Sequence, residues 1–115
     1  MTNKSKQKGT AWETAVVRWL GQWFPHVERR TLTGSADKGD IAGIVGVVIE
    51  CKNAAAIDLA KWSRELDAEI HNANADLGFL IIKRRGTISP GDAYVLTTAA
   101  SMVKILTERN GGNNE

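Results

Sequence analysis

Four ionisable residues in this chain, Glu13, Asp40, Glu50 and Lys52, have types and spacing suited to hydrolytic chemistry. Glu50 and Lys52 close an otherwise apolar run, Gly46-Val47-Val48-Ile49. Side chains alternate across a strand, so Glu50 and Lys52 share one face while Cys51 points to the other. Asp40 opens the preceding apolar stretch, and it reaches the same face if the two stretches pair as a hairpin across Gly43 and Gly46. Two carboxylates so placed repel unless a cation joins them. Hard oxygen ligands on a rigid sheet edge suit magnesium, which keeps several waters and recruits phosphate oxygens. Glu13 follows Trp12 and shares a helical face with Val17 and Leu20, at the boundary of the core. Taken bare, the same residues also describe an ordinary Glu50–Lys52 ion pair, a turn residue at Asp40 and a surface acid at Glu13.

The elements that must position these residues follow from periodicity. Trp12, Val16, Trp19, Leu20 and Trp23 repeat at three and four, which predicts an amphipathic helix from Thr10 that ends before Pro25. Val27 to Leu32 reads as a strand and Thr33 to Gly39 as a polar loop. Asp40 to Ala42 and Val47 to Lys52 form the hairpin. Asp58 caps a second helix with Leu59, Trp62, Leu66, Ile70 and Ala73 inward, ending near Asp76. Leu77 to Arg84 reads as a buried strand, Asp92 to Thr97 as a shorter one, and Thr98 to Glu108 as a terminal helix with Met102, Val103 and Leu106 inward. The order αβββαββα, with a crossover through the second helix, predicts an α/β fold: a mixed central β-sheet flanked by helices. Residues 1–9 are expected to be a flexible basic arm, 10–109 a single domain and 110–115 a disordered tail.

With 115 residues, 43% of them hydrophobic, the chain is long enough to hold a core without disulfides. One cysteine and no Cys/His cluster at zinc spacing exclude a disulfide-stapled or zinc-knuckle fold and suit a reducing, cytoplasmic setting. The longest uncharged apolar run, Ile41 to Ile49, is too short for a bilayer span, and no secretory leader is expected. Three of the 15 basic residues, Lys4, Lys6 and Lys8, fall in the first nine positions with no acid, so the remaining 12 face 13 acids. The positive charge left is clustered at Arg29-Arg30 and Lys83-Arg84-Arg85. Such clusters suit a local phosphate contact or an ordinary solvated face. The tryptophans follow helical stripes and point to core or a dimer interface rather than base stacking. His26 and His71 have no spaced partners and receive no role.

These residues resemble a known pattern. Lys8-Gly9-Thr10-Ala11-Trp12-Glu13 looks like Lys-Gly-x-x-x-Glu, Gly39-Asp40-Ile41 like Pro-Asp-Ile, and Ile49-Glu50-Cys51-Lys52 like Glu-x-Lys. Together they resemble the PD-(D/E)XK nuclease superfamily, and within it the archaeal-type Holliday junction resolvases and small phage-encoded relatives. Gly39 stands where that pattern has proline, and Thr14 where these resolvases have arginine. The resemblance implies a restriction-endonuclease-like αβββαβ core and a homodimer. It also implies a Mg2+ ion, with Mn2+ as substitute, held by Asp40, Glu50 and the Cys51 carbonyl, with Glu13 in support. Lys52 would orient or help deprotonate the attacking water, and cleavage would leave a 5′ phosphate. Gly34-Ser35 is similar to a loop whose serine serves catalysis, which makes Ser35 a candidate for DNA contact; Lys8, Arg29, Arg30, Lys38, Lys83, Arg84 and Arg85, with Lys4 and Lys6, would bind phosphates flanking the cut and position DNA without reading bases. The expected function is a structure-selective endonuclease on branched DNA. The alternatives are a repair- or restriction-type nuclease on linear or flapped DNA, and a non-cleaving DNA-binding module.

Overall fold

Apolar positions spaced at three and four wind helix α1 (Lys4–Leu20) in the computed structural model, which describes residues 4–31, 34 and 36–111. The helix starts before the expected Thr10, so Lys8 belongs to α1 rather than to a separate arm. Strands β1 (Glu28–Arg29), β2 (Ile41–Ala42) and β3 (Val47–Lys52) follow. Helix α2 (Leu59–Asn72) then leads to β4 (Leu77–Ile82), a 3-10 turn (Pro90–Asp92), β5 (Tyr94–Thr97) and α3 (Ala99–Arg109). The five strands lie in sequence order. Only β3 and β4 are parallel; the other neighbours are antiparallel. The result is a mixed sheet with helices, as the order of elements predicts.

Period-two alternation in β3 splits the core between the two sheet faces. Ile49 and Cys51 join Ile41 and Ile81 under Trp12, Val16 and Leu20 of α1. Val48 joins Leu80 and Ile82 under Trp62 and Leu66 of α2. Leu66 is 1% exposed, and truncating such a side chain typically costs about 2–5 kcal/mol. Trp12 also donates from Nε1 to the Ile81 carbonyl at 3.1 Å, which satisfies the polar atom of a buried ring. Trp12 and Trp62 are therefore core residues, whereas Trp23 is exposed, edge-on to Trp19 with ring centroids 5.0 Å apart.

Several expected boundaries move, and one helix turns a different face inward. β1 is a two-residue strand within the run expected from Val27, although the Arg30 amide still donates to the Asp40 carbonyl at 2.7 Å, and Leu32 lies outside the described residues. Helix α2 ends at Asn72, before a left-handed Asn74 (φ 51°), not near Asp76. β4 stops at Ile82, leaving Lys83 to Arg85 in the following loop. The largest difference is in α3. Met102, Val103 and Leu106 face outward at 48%, 57% and 48% exposure, while Ser101 is buried. Thr98 caps the helix, its hydroxyl oxygen accepting the Ser101 amide at 3.0 Å, and it is this capped residue that lies inward. Among the described residues no helix is long and apolar enough to cross a membrane.

Candidate functional site

The hairpin delivers Asp40 to β3 through a backbone that only glycine tolerates. Gly39 has φ +96°, and a Cβ there would lie 2.9 Å from Val48 Cγ1 and 3.0 Å from the Ile49 carbonyl oxygen. Proline is held near φ −65°, so it cannot occupy this position, which accounts for glycine where the resembled motif has proline. The next residue is locked on both sides. The Asp40 amide donates to the Ile49 carbonyl at 2.9 Å, and Asp40 Oδ2 accepts the Cys51 amide at 2.8 Å. The aspartate thus takes over an amide that β2, already ended, no longer covers.

Glu50 and Lys52 share the α2 face as expected. The Lys52 ammonium lies 3.6 Å from Glu50 Oε2 and 2.9 Å from Glu65 Oε1, with its Nζ 5.7 Å from the Trp62 ring centroid. Burial, then the Asp40 charge, then the Glu69 charge hold the Glu50 carboxyl far above the usual carboxylate range, against the pull of Lys52. Burial, then Asp37, then Asp40 raise Glu69 in the same direction. Burial works against the Lys52 ammonium, but the Glu65 hydrogen bond and the charges of Glu50, Glu65 and Glu69 outweigh it and leave Lys52 above the ordinary lysine value. The Cys51 thiol is pushed up by burial, then by Asp40, Glu13 and Glu50, so it is neither thiolate nor nucleophile.

Glu13 is placed apart from this group. It sits on the α1 side, 3.1 Å from Arg29 Nε, and its pKa is raised by burial and then by Asp40. Asp40 therefore stands between Glu13 and Glu50. A second carboxylate group also gathers at Glu50: one oxygen each from Asp37, Glu50 and Glu69 lies within 4.8 Å of the others. The Oε1 atoms of Glu50 and Glu69 are buried without a hydrogen-bond partner, and in the ionised form both groups would be acceptors only. An all-oxygen donor set with orphaned buried acceptors fits a hard divalent cation. Glu69 has a sequence signature, since it lies three residues after Leu66 and seven after Trp62, on the apolar stripe of α2. Glu65, three residues after Trp62 and four before Glu69, borders the same stripe, whereas Asp37, in a loop, carries no periodic signal.

No protein-family model, curated protein or solved structure matches the chain. The site is therefore read from its own geometry.

The basic residues divide into two groups. Lys8, Lys83, Arg84 and Arg85 line one cleft of about 670 Å³ with Trp12 and Asn53. Parallel pairing creates this neighbourhood, because Lys52 and Ile82 are in register and the Lys83 amide donates to the Lys52 carbonyl at 2.9 Å. The Lys83 ammonium sits 6.0 Å from the Trp12 ring centroid, and the Arg84 guanidinium 5.4 Å from that of Tyr94. Arg29 is engaged by Glu13, Arg30 is half-buried with Nε unpartnered, and Lys38 is exposed beside Asp37; none of them lines the cleft. Ser35 lies outside the described residues.

Proposed function

We propose that the chain is a Mg2+-dependent, structure-selective DNA endonuclease that hydrolyses phosphodiesters in branched DNA. The observation that carries this reading is the Asp40–Glu50–Lys52 arrangement at the carboxyl end of β3, with Asp40 fixed to the Cys51 amide at 2.8 Å. The order α1-β1-β2-β3-α2-β4 is that of the restriction-endonuclease-like core, which supports it. The basic cleft opening beside the same strand end supplies a place for phosphates flanking the cut.

Asp40, Glu50 and the Cys51 carbonyl are the groups that would hold the cation. Once bound, it would neutralise charge on the scissile phosphate and make a water more acidic. Lys52, kept as an ammonium by its carboxylate neighbours, orients the water and offsets transition-state charge; it is not the base. Glu13, paired with Arg29, shapes the field at Asp40 from the α1 side. Lys8 and Lys83 to Arg85 bind phosphates and leave base identity unread. Symmetric cutting of two strands takes two such sites, hence a homodimer.

Cleavage of a labelled four-way junction and a matched linear duplex, with and without Mg2+, tests the proposal. Junction cutting by the wild type, lowered about 100-fold or more in both Asp40→Asn and Lys52→Ala, is expected from the loss of a charge-stabilising group. Equal cutting of both substrates would reduce the assignment to a general nuclease. Binding without cutting in any condition would remove it.

A further inference from the structure

We infer that Asp37, Glu50 and Glu69 form a second oxygen-ligand site for a divalent cation, on the side of Glu50 away from Glu13. Three segments contribute to it: the loop before β2, the end of β3 and the third turn of α2. One oxygen of each carboxylate lies within 4.8 Å of the other two, a spread spanned by the ligand shell of an ion with oxygens at 2.0–2.6 Å. Acidic residues often gather without binding anything, so the burial is what points to a ligand. Glu50 is 7% exposed and Glu69 3%, and each has an Oε1 with no hydrogen-bond partner. Buried carboxylate oxygens without donors are costly, and a cation is the partner that satisfies them together.

The surroundings hold the three groups in place but do not neutralise them. The Asn72 side-chain amide donates to the Asp37 carbonyl at 2.9 Å, tying the loop to α2, and the Gly39 amide donates to Asp37 Oδ1 at 2.9 Å. Lys52 contacts Glu50, but its shorter bond goes to Glu65. The Lys52 ammonium is thus shared among Glu50, Glu65 and Glu69. The site shares Glu50 with the proposed catalytic arrangement, yet it requires neither Asp40 nor DNA cleavage.

Mn2+ binding to the full chain, followed by the electron paramagnetic resonance of free Mn2+, tests this. Asp40→Asn protein is expected to retain one bound Mn2+ per chain, and adding Glu69→Gln or Asp37→Asn to weaken that binding at least tenfold. The circular dichroism spectrum of each variant checks that it is folded, and Asp37, on an exposed loop, can be changed without disturbing the core. A smaller effect of both substitutions, or no Mn2+ binding by Asp40→Asn protein, would overturn the inference. Glu69-dependent Mn2+ binding by a protein that cuts no DNA would leave this site standing and remove the nuclease reading. Cleavage with Mn2+ binding indifferent to Glu69 and Asp37 would do the reverse.

Discussion

Glu13, Glu50 and Glu69 all hold their protons more tightly in the folded chain than in the unfolded one, burial being the largest cause for each. The sign of the linkage follows. Above the unfolded value of 4.5 the folded state binds more protons, so stability is fully present below that pH and is lost as pH rises towards the raised folded values. In a chelator, the melting temperature is therefore expected to fall between about pH 5 and pH 8, with Glu50→Gln flattening the slope. An unchanged slope in Glu50→Gln would mean that the Glu50 charge is not felt. At this scale much of the site was legible. Glu50 and Lys52 stand out because they break an apolar alternation, and Asp40 because a hairpin brings it beside them. Glu69 breaks the apolar stripe of α2 in the same way and is visible once that stripe is laid out. Asp37 is not, since a loop has no period, and only the Asn72 contact brings it to the cluster.

The elements follow their patterns where a face is buried and depart where end contacts decide. The Trp12-Val16-Leu20 and Trp62-Leu66 stripes both enter the core as their spacing predicts. In α3 the apolar spacing misleads, because Ser101 is buried while Met102, Val103 and Leu106 stay exposed, so apolar type does not mark the inward face there. The strand ends were the least legible, since β1 and β4 both stop sooner than their residue types imply. The β2–β3 hairpin depends on one backbone position. Gly39→Ala would place a Cβ within about 3 Å of β3 at a left-handed φ, so urea unfolding is expected to show a loss of about 1–3 kcal/mol. Wild-type stability in this variant would mean that the loop leading into Asp40 relaxes without strain.

Across the whole molecule, charge is sorted by sheet face. The acidic cluster lies on the α2 face around Glu50, and the basic cleft on the α1 side at the carboxyl ends of β3 and β4. A net charge of +2 conceals this separation. Affinity for DNA is expected to fall steeply with salt, and Lys83→Ala or Arg84→Ala each to reduce the slope of log K against log salt by about 1, equally for all sequences. An unaltered slope would take these residues out of the DNA contact. The parallel pairing of β3 with β4 also imposes an order of assembly. The hairpin that sets Asp40 beside Glu50 is local and can close early, whereas Glu69 arrives only after the long α2 excursion has folded back. The crowding of carboxylates is thus expected to be met late in folding, so that Glu69→Gln changes the unfolding rate more than the folding rate.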